Sequence, residues 1–487
     1  AGFADDGTNA GIIISTDDAN GAGIHCVTTG GFANGGYGIM RFNASQHKFT
    51  YGNTQRLLIN ASGKAIFSEE IETPQDYPDL RPRLDFNFAA TKKLDPRITY
   101  YRTGPASYTD EFGKLIKVGD NEPRFDHNFS TGESLGLLME ATSTNISRYS
   151  EKASGTTNWT QFGTISENVI EAPDGTMTAD KLEAPTSGHG LINIALSWTA
   201  NVPHTFSIFA KSGEFNRIGI RLYDGTSYFM RTTVNLDTGE AVNNEAGTLN
   251  VEKFANGWWR ISTTGTPVAT YNYNSLGSVE PHKNSTVQNP DPSSSKEGIY
   301  IWGWQMEAQS YPTSYIATNG AAVTRGNEFV RMDGKEFSDL YNEIEGTFVS
   351  QHEILKNQAN MGIITFCKDF SSAERIELRA TAANSSLGRF EVVTGSSSIV
   401  SLYSGLSHSG FGEGKNNKYA FAFKKDDYAG TVNGVTPLTD TSGNMPTEIN
   451  SMMIGDTTFG VKSNVYIKRI MYYPKRLPNS QLVTLTS

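Results

Sequence analysis

Short runs in which apolar and polar residues alternate recur along most of the chain. They include residues 205–211, 217–223, 257–262 and 299–306, and polar or glycine-containing segments separate them. Alternation with a period of two residues is typical of a β-strand with one buried face, and turn signals every roughly 8–12 residues favour packed sheets. We therefore predict an all-β fold with two β-sandwich (jelly-roll) domains. One short helical pattern interrupts it, at residues 337–341.

The first 75 residues carry shorter strand patterns between glycines, such as residues 11–15, 38–42 and 56–60. Strands this short do not bury an apolar face within one chain, so we predict that the segment pairs with identical chains, most simply three around an axis. A small monomeric β-domain with glycine loops is the alternative.

Composition changes along the chain predict the domain boundaries. Prolines at 74, 78 and 82 interrupt the first pattern, and all six tryptophans lie between residues 159 and 304. We predict an elongated multi-domain chain with a glycine-rich trimeric β shaft at 1–75, a connector at 76–149, and β-sandwiches at 150–325 and 326–487.

Charge and cysteine content exclude several classes of function. The net charge is −10 and no basic run occurs, so a nucleic-acid partner is excluded, because binding phosphates requires a basic face. No apolar stretch reaches the roughly 20 residues of a membrane-spanning helix, and the first residues lack the pattern of a secretion signal. The two cysteines, Cys26 and Cys367, are too few for a disulfide framework, and the histidines lack zinc-ligand spacing.

Catalytic patterns are sparse. Residues 132–136 match G-x-S-x-G, but neither a preceding strand nor a following helix is indicated, and we interpret the match and nearby His127 as turn residues of the connector. Glycan hydrolysis needs two carboxylates across a groove, and sequence spacing does not reveal such a pair. We predict a protein without catalytic residues.

Four segments resemble parts of bacteriophage tail fibres. Residues 51–63 resemble the R-L-x-I-x-x-x-G repeats of fibre shafts, and fixed-order motifs within residues 84–140 resemble a connector of tail-fibre and tail-spike proteins. Residues 257–260, 305–307 and 312–316 resemble carbohydrate-binding-module-like jelly rolls.

The fourth segment, residues 467–477, resembles the last strand of concanavalin-A-like (laminin-G-like) lectin sandwiches, in which a short C-terminal helix follows; residues 479–482 fit its first turn. The resemblance implies a homotrimeric tail-fibre, receptor-binding protein of the virion, attached to other tail proteins and to a host cell-surface glycan.

Sugar recognition needs flat aromatic faces together with polar groups for the hydroxyls. The candidate glycan-binding residues are Trp258, Trp302, Trp304, Tyr223, Tyr228 and Arg260. Alternation places Trp259 with the core residue Ile261 and Trp258 with Arg260, so we expect Trp258 to be exposed. Loops at 403–408 and 425–433 are further candidates. Calcium is the one cofactor considered, with Asp180 and Glu307 as candidate ligands, because dispersed oxygens leave no local pattern.

Three functions remain open at this point. The first is non-catalytic attachment of a virion to a host glycan. The second is a tail-spike enzyme that depolymerises or deacetylates host polysaccharide. The third is a purely structural fibre or decoration of the virion.

Overall fold

The computed structural model divides the chain into two compact units, residues 1–80 and residues 81–487. It describes six strands of the first unit and, in the second, residues 81–153, 159–161, 164–184, 192–194, 196–270, 276–282, 297–356, 361–380, 388–402, 413–457 and 463–487. Strands far outnumber helices in these ranges, which confirms the predicted all-β class.

The described part of the first unit consists of two antiparallel sheets of three strands. One sheet contains Gly2–Phe3, Ala10–Asp17 and Gly21–Thr28; the other contains His47–Tyr51, Thr54–Ile59 and Ala65–Phe67. The predicted strands at 11–15 and 56–60 correspond to two of these, whereas the one at 38–42 lies outside the described residues. Association of three chains through this segment stays a prediction.

The middle sandwich consists of two antiparallel six-stranded sheets. In spatial order, the first contains Trp159–Gln161, Ile192–Ile194, Leu276–His282, Arg217–Tyr223, Tyr228–Asn235 and Ala241–Ala246. The second contains Thr164–Ile170, Ala179–Glu183, Gly298–Glu307, His204–Ser212, Trp259–Gly265 and Thr248–Lys253. The alternating runs of the sequence correspond to strands of these sheets, and their inward side chains form one buried core.

The last sandwich consists of an eight-stranded and a seven-stranded sheet. The eight-stranded sheet contains Phe125–His127, Ser134–Met139, Asn464–Tyr473, Glu345–Lys356, Asn416–Lys424, Tyr428–Val432 and Leu438–Asp440, with Leu84–Phe86 also paired to Asn464–Tyr473. The seven-stranded sheet contains Ser397–Leu402, Gly388–Thr394, Arg375–Ala380, Gly362–Cys367, Ser451–Ile454, Phe329–Asp333 and Thr99–Tyr101. Residues predicted as a connector therefore supply strands to both sheets.

The middle sandwich is inserted into the last one. The chain leaves the eight-stranded sheet after Met139 and returns with Phe329–Asp333 in the seven-stranded sheet. Between these points, Ser143–Asn145 and Val323–Arg325 pair antiparallel, and we call this two-stranded ribbon the neck. A second ribbon, the connector hairpin, pairs Ala106–Thr109 with Leu115–Val118.

A buried ion-pair network lies beside the neck. Arg124 Nη1 donates to Glu140 Oε2 at 2.6 Å, and its Nη2 donates to Glu328 Oε1 at 2.5 Å. Arg325 also pairs with Glu140, and Arg102 Nε lies 3.6 Å from Glu328 Oε1. All five side chains are buried. Since a buried charge is costly without its partner, the network fixes the neck against the residues that precede the insertion.

Helices are short in the described ranges. They are Phe88–Thr91, Gly334–Ser338, Asn479–Thr486 and the 3-10 turn Ala255–Gly257. Asn479–Thr486 confirms the C-terminal helix expected at 479, and Gly334–Ser338 overlaps the helical pattern at 337–341. None of the helices described is long and apolar enough to span a membrane.

Candidate functional site: a cavity between the sandwiches

A cavity of about 720 Å³ lies where the connector and the two sandwiches meet. Its wall includes residues 107–109 and 126–129 of the connector and residues 311–315 of the middle sandwich. The last sandwich contributes Glu353, Leu355, Asn464, Tyr466 and Lys468, among others. Small-molecule sites commonly have volumes of roughly 300–1,000 Å³ and lie where domains meet. The size and position therefore suit a ligand site.

Aromatic rings form much of the wall. They are Tyr108, Phe129, Phe254, Tyr311, Tyr315 and Tyr466. Phe129 of the connector stacks on Phe254 of the middle sandwich, with ring centroids 5.2 Å apart. All six rings offer apolar faces, and the four tyrosines add a hydroxyl group, the combination that sugar rings require.

Asp126 and His127 lie on the connector side of the wall. Asp126 Oδ1 accepts hydrogen bonds from the backbone N–H groups of Thr109 (2.6 Å) and His127 (3.0 Å), and Oδ2 accepts one from the Tyr466 hydroxyl at 2.8 Å. Burial raises the pKa of Asp126, although these hydrogen bonds act in the opposite direction. Burial, together with the nearby Asp126 charge, raises the pKa of Tyr466 far above its ordinary value.

The tautomer of His127 follows from its hydrogen bond. Nδ1 lies 3.0 Å from the carbonyl oxygen of Thr109, and a carbonyl only accepts, so Nδ1 carries the proton. In the neutral ring Nε2 is then an acceptor. Nε2 is buried and has no hydrogen-bond partner among the described residues.

Glu140 joins the cavity to the ion-pair network. Besides its two arginine partners, it accepts hydrogen bonds from the backbone N–H and the hydroxyl of Ser314 at 2.9 and 2.7 Å. Burial alone would raise the pKa of Glu140, but the charges of Arg325 and Arg124 lower it to about 2. Glu140 is therefore ionised at neutral pH and already paired.

Arg260 is the predicted site residue that the structure places on this wall. It lies opposite Glu252 in neighbouring strands. Its Nη2 donates to the carbonyl oxygen of Thr313 at 2.6 Å and to Ser207 Oγ at 3.2 Å. Glu252 is partly exposed as a residue, yet enclosure of its carboxyl group raises its pKa, against the effect of the Arg260 charge. Arg260 is thus held in place by the strands and loop around it.

The predicted tryptophans are buried. Trp258 is 1% exposed and Trp302 and Trp304 are 0% exposed, so the expectation that Trp258 is exposed is wrong. Trp259 is more exposed than its neighbour Trp258. The prediction that Trp259 lies on the core side is confirmed in part, because its partly buried side chain packs against the core of the middle sandwich. Buried rings present no face to a glycan in this structure.

The physical reason is a cover that alternation does not reveal. Trp258 and Trp302 do lie outside the core of the middle sandwich, but they belong to a separate buried cluster that includes Leu115 of the connector hairpin. The indole N–H of Trp302 donates to Thr178 Oγ1 at 3.0 Å, and that of Trp258 donates to the Glu171 carbonyl at 3.2 Å. The connector therefore closes a sheet face that the sequence predicts to be open.

Tyr223 and Tyr228 lie away from the cavity. They end neighbouring strands, their ring centroids are 5.2 Å apart, and Tyr228 is 38% exposed. The structure thus brings this predicted pair together at the surface, and a role in glycan binding there stays a prediction. The loop at 403–408 lies outside the described residues.

The calcium candidates serve as hydrogen-bond acceptors. Asp180 accepts from the backbone N–H groups of Ala153 and Asn168, and Glu307 accepts from Ser143, Gln309 and Thr313. Across the described ranges, His, Cys, Asp and Glu side chains form no group of three that could hold a metal ion.

Sequence reasoning missed most of the cavity. The sequence predicts His127 in a turn. In the structure residues 126–127 end a strand, and the turn starts at Asn128. The available signal was the dense polar sequence from Arg124 to Asn128, which is unusual for a buried strand. Some of its partners, such as Thr109, are near in sequence, but Tyr466 and Glu328 lie more than two hundred residues away, and no local pattern connects them.

No known protein family matches the sequence, and no curated protein matches it. Among solved structures, the chain is similar to the CBM40 of the Ruminococcus gnavus IT-sialidase bound to alpha2,3 sialyllactose, with 16% identity, a TM-score of 0.27, and coverage of 31% of this chain and 88% of that chain. The NanB sialidase from Streptococcus pneumoniae gives 15% identity and a TM-score of 0.28, over 32% of this chain and 26% of that chain. Domains LG4-5 of the mouse laminin alpha1 chain give 10% identity and a TM-score of 0.23, over 68% of this chain and 93% of that chain. These TM-scores are too low to assign a family or a ligand to this chain.

Proposed function

We propose that the protein attaches a bacteriophage virion to a glycan on the host surface and binds that glycan in the cavity between the two sandwiches. The proposal gives it the role of a non-catalytic, homotrimeric tail fibre, in contact with other tail proteins. The resemblance of residues 51–63 and 84–140 to phage fibres supports a place in the tail fibre of the virion, and the all-β sandwiches suit a binding role.

The cavity carries the proposal. Its volume of about 720 Å³ suits a small saccharide, its wall alternates aromatic rings with carboxyl, amide and guanidinium groups, and three distant parts of the chain build it. Aromatic faces stack on the C–H faces of sugars, and fixed polar groups select hydroxyl positions. Three such sites on a trimer would raise the apparent affinity for a dense surface glycan by avidity.

A glycan array with the full-length protein tests this proposal. Asn416 is exposed at the start of a strand and lines the cavity, so Asn416→Trp fills the opening without touching the core. Asn444→Trp makes the same change at an exposed position outside the wall. We expect the native protein and Asn444→Trp to bind the same glycans and Asn416→Trp to lose them. Equal binding by all three proteins would place the site elsewhere.

A hydrolytic tail spike is the second candidate, and one observation favours it. The cavity holds carboxyl groups with opposite shifts, since burial raises the pKa of Asp126 and Glu252 while the arginines lower that of Glu140. Acid and base pairs in glycoside hydrolases differ in this way. Incubation with host capsule or lipopolysaccharide, followed by assay of reducing ends and of acetate, decides between the two. Turnover that Asp126→Asn abolishes would establish the enzyme, and its absence with retained binding supports attachment.

A further inference from the structure

We propose that His352 makes the cavity wall acid-sensitive: its protonation opens the strands that form one side of the wall, and bound ligand is released in mild acid. The release of ligand rests on the proposed function, whereas the acid-sensitivity of the strands does not. The inference follows from the place of His352 in the sheet and from the groups around its ring.

His352 lies directly behind the side of the wall that the last sandwich supplies. Its neighbour Glu353 lines the cavity, and successive side chains of a strand point to opposite faces, so His352 points into the last sandwich. Glu353 pairs in the adjacent strands with Asn416 and Tyr466, which also line the cavity. A change at the His352 ring therefore acts on three strands that carry wall residues.

The His352 ring is enclosed and has few polar neighbours. It is 0% exposed and stacks on Tyr419 of the adjacent strand, with ring centroids 5.0 Å apart and planes inclined by 14°. Nδ1 lies 2.9 Å from Ser350 Oγ, and Nε2 is buried without a hydrogen-bond partner among the described residues. A hydroxyl group donates to or accepts from the neutral ring, but it has no charge to balance an imidazolium.

The described residues around the ring supply no negative charge to it. Its register partners in the two adjacent strands are Asn417 and Ile467, which are uncharged. Burial raises the pKa of Tyr419 far above its ordinary value, so that ring stays neutral. Behind Tyr419 packs Phe390 of the seven-stranded sheet, with ring centroids 5.9 Å apart.

The charged side chains beside these positions are engaged elsewhere. Glu353 and Lys468 line the cavity, on the other face of the sheet, and Arg469 pairs with Asp85 at 2.6 Å. An imidazolium at His352 would thus be a buried charge without a described partner, which is costly.

The pKa of His352 gives the direction of the effect. Burial lowers it to about 3, below the ordinary value of 6.5. The unfolded or opened chain takes up a proton below pH 6.5, whereas the closed chain keeps the ring neutral until about pH 3. The stability of the closed form is therefore fully present above pH 6.5 and is lost as the pH falls through that range. One pKa unit is a tenfold change in an equilibrium, so opening at pH 5 should be roughly thirtyfold more favourable than at pH 7.5.

Other titratable groups change in the same range and decide the controls. His204 of the middle sandwich is buried, and burial lowers its pKa, but it lies outside the cavity wall. On the wall, burial raises the pKa of Asp126 and of Glu252, so these carboxyl groups also make ligand affinity depend on pH. The contribution of His352 is therefore measured as a difference between the native protein and a variant.

Hydrogen exchange with mass spectrometry, on the full-length protein at pH 7.5 and pH 5, tests the acid-sensitivity of the wall. After correction for intrinsic exchange rates, peptides from Glu345–Lys356, Asn416–Lys424 and Asn464–Tyr473 should lose roughly thirtyfold of their protection at pH 5. His352→Gln keeps a polar side chain that does not titrate and should retain that protection. His204→Gln, the matched change in the middle sandwich, should behave in these peptides as the native protein does.

The affinity for the best array glycan, measured at both pH values, tests ligand release. The native protein should bind more weakly at pH 5, and His352→Gln should lose less affinity than the native protein. Equal glycan affinity of the native protein at the two pH values would overturn ligand release.

Equal protection of the native strands at both pH values, or the same loss in the native protein and His352→Gln, would overturn the inference as a whole. The native comparison needs no variant, so a folding defect in His352→Gln does not remove the test. Absence of binding to every array glycan, with the acid-dependent loss of protection retained, would overturn the proposed function and leave the acid-sensitive wall intact.

Discussion

Replacement of Arg124 by methionine should destabilise the second unit strongly. The Arg124 guanidinium is fully buried and donates to Glu140 and Glu328, and its Nη1 also donates to the Ser107 carbonyl oxygen at 3.1 Å. Methionine restores most of the apolar packing but none of these bonds. Glu140 keeps Arg325, and Glu328 keeps Arg102 at 3.6 Å, so the remaining charges are only partly compensated.

Removal of one partner from a buried ion pair lowers the free energy of unfolding by about 3–5 kcal/mol. Because Arg325 and Arg102 remain beside the two glutamates, we expect a loss near the lower end, about 3 kcal/mol, for Arg124→Met. An unfolding entropy of about 2.1 cal/mol/K per residue, over a unit of about 400 residues that unfolds together, converts this free energy into a fall in Tm of roughly 4 °C. Calorimetry and urea unfolding of the full-length protein both measure the change.

Arg97→Met is the matched control on the same connector. Arg97 forms an exposed pair with Asp95 at 2.8 Å, and such pairs contribute at most about 1 kcal/mol. We expect its Tm to fall by roughly 1 °C or less. Equal stability of the two variants would refute the view that the neck network fixes the two sandwiches.

Three further predictions concern single groups. Glu140 has a folded-state pKa of about 2, below its ordinary value of 4.5, so the stabilisation that its charge provides is present above pH 4.5 and is lost as the pH falls towards 2. Urea unfolding should show that the difference in unfolding free energy between the native protein and Glu140→Gln shrinks by about 3 kcal/mol over that range. A constant difference would contradict the pairing. Burial raises the pKa of Cys367 to about 11, so a Cys26→Ser protein should resist thiol reagents near neutral pH until it is denatured, and rapid labelling of the native protein would refute this. Iodide should quench a larger fraction of the emission in Trp258→Phe, which loses a buried tryptophan, than in the native protein, and a smaller fraction in Trp259→Phe, which loses the more exposed one; the reverse order would restore the sequence-based assignment.

Local patterns predicted the strands well. The runs at 205–211, 217–223 and 299–306 correspond to His204–Ser212, Arg217–Tyr223 and Gly298–Glu307. Their period of two residues arises from the strand itself and requires no knowledge of distant residues. The alternation also predicted which side chains of a strand face the core, because Trp258 does lie outside the core of the middle sandwich.

The sequence did not predict which residues cover the outer face of the middle-sandwich sheet. The connector hairpin packs Leu115 over it, and the pairing of Ser143–Asn145 with Val323–Arg325 joins segments that are far apart in sequence. No periodicity encodes such contacts. The same limit explains the site: Arg260 was predicted from its strand, whereas Asp126 and Glu353 become neighbours of the cavity only after the middle sandwich is inserted into the last one.

The most direct test of the central claim is to locate the bound glycan on the full-length protein. The best ligand from the array would carry a photoreactive group, and mass spectrometry would identify the crosslinked peptides. We predict crosslinks to peptides that contain wall residues 107–109, 126–129 and 311–315, and their loss in Asn416→Trp. Crosslinks confined to the Tyr223–Tyr228 surface or to residues 403–408, unchanged by Asn416→Trp, would contradict the assignment of the cavity as the glycan site.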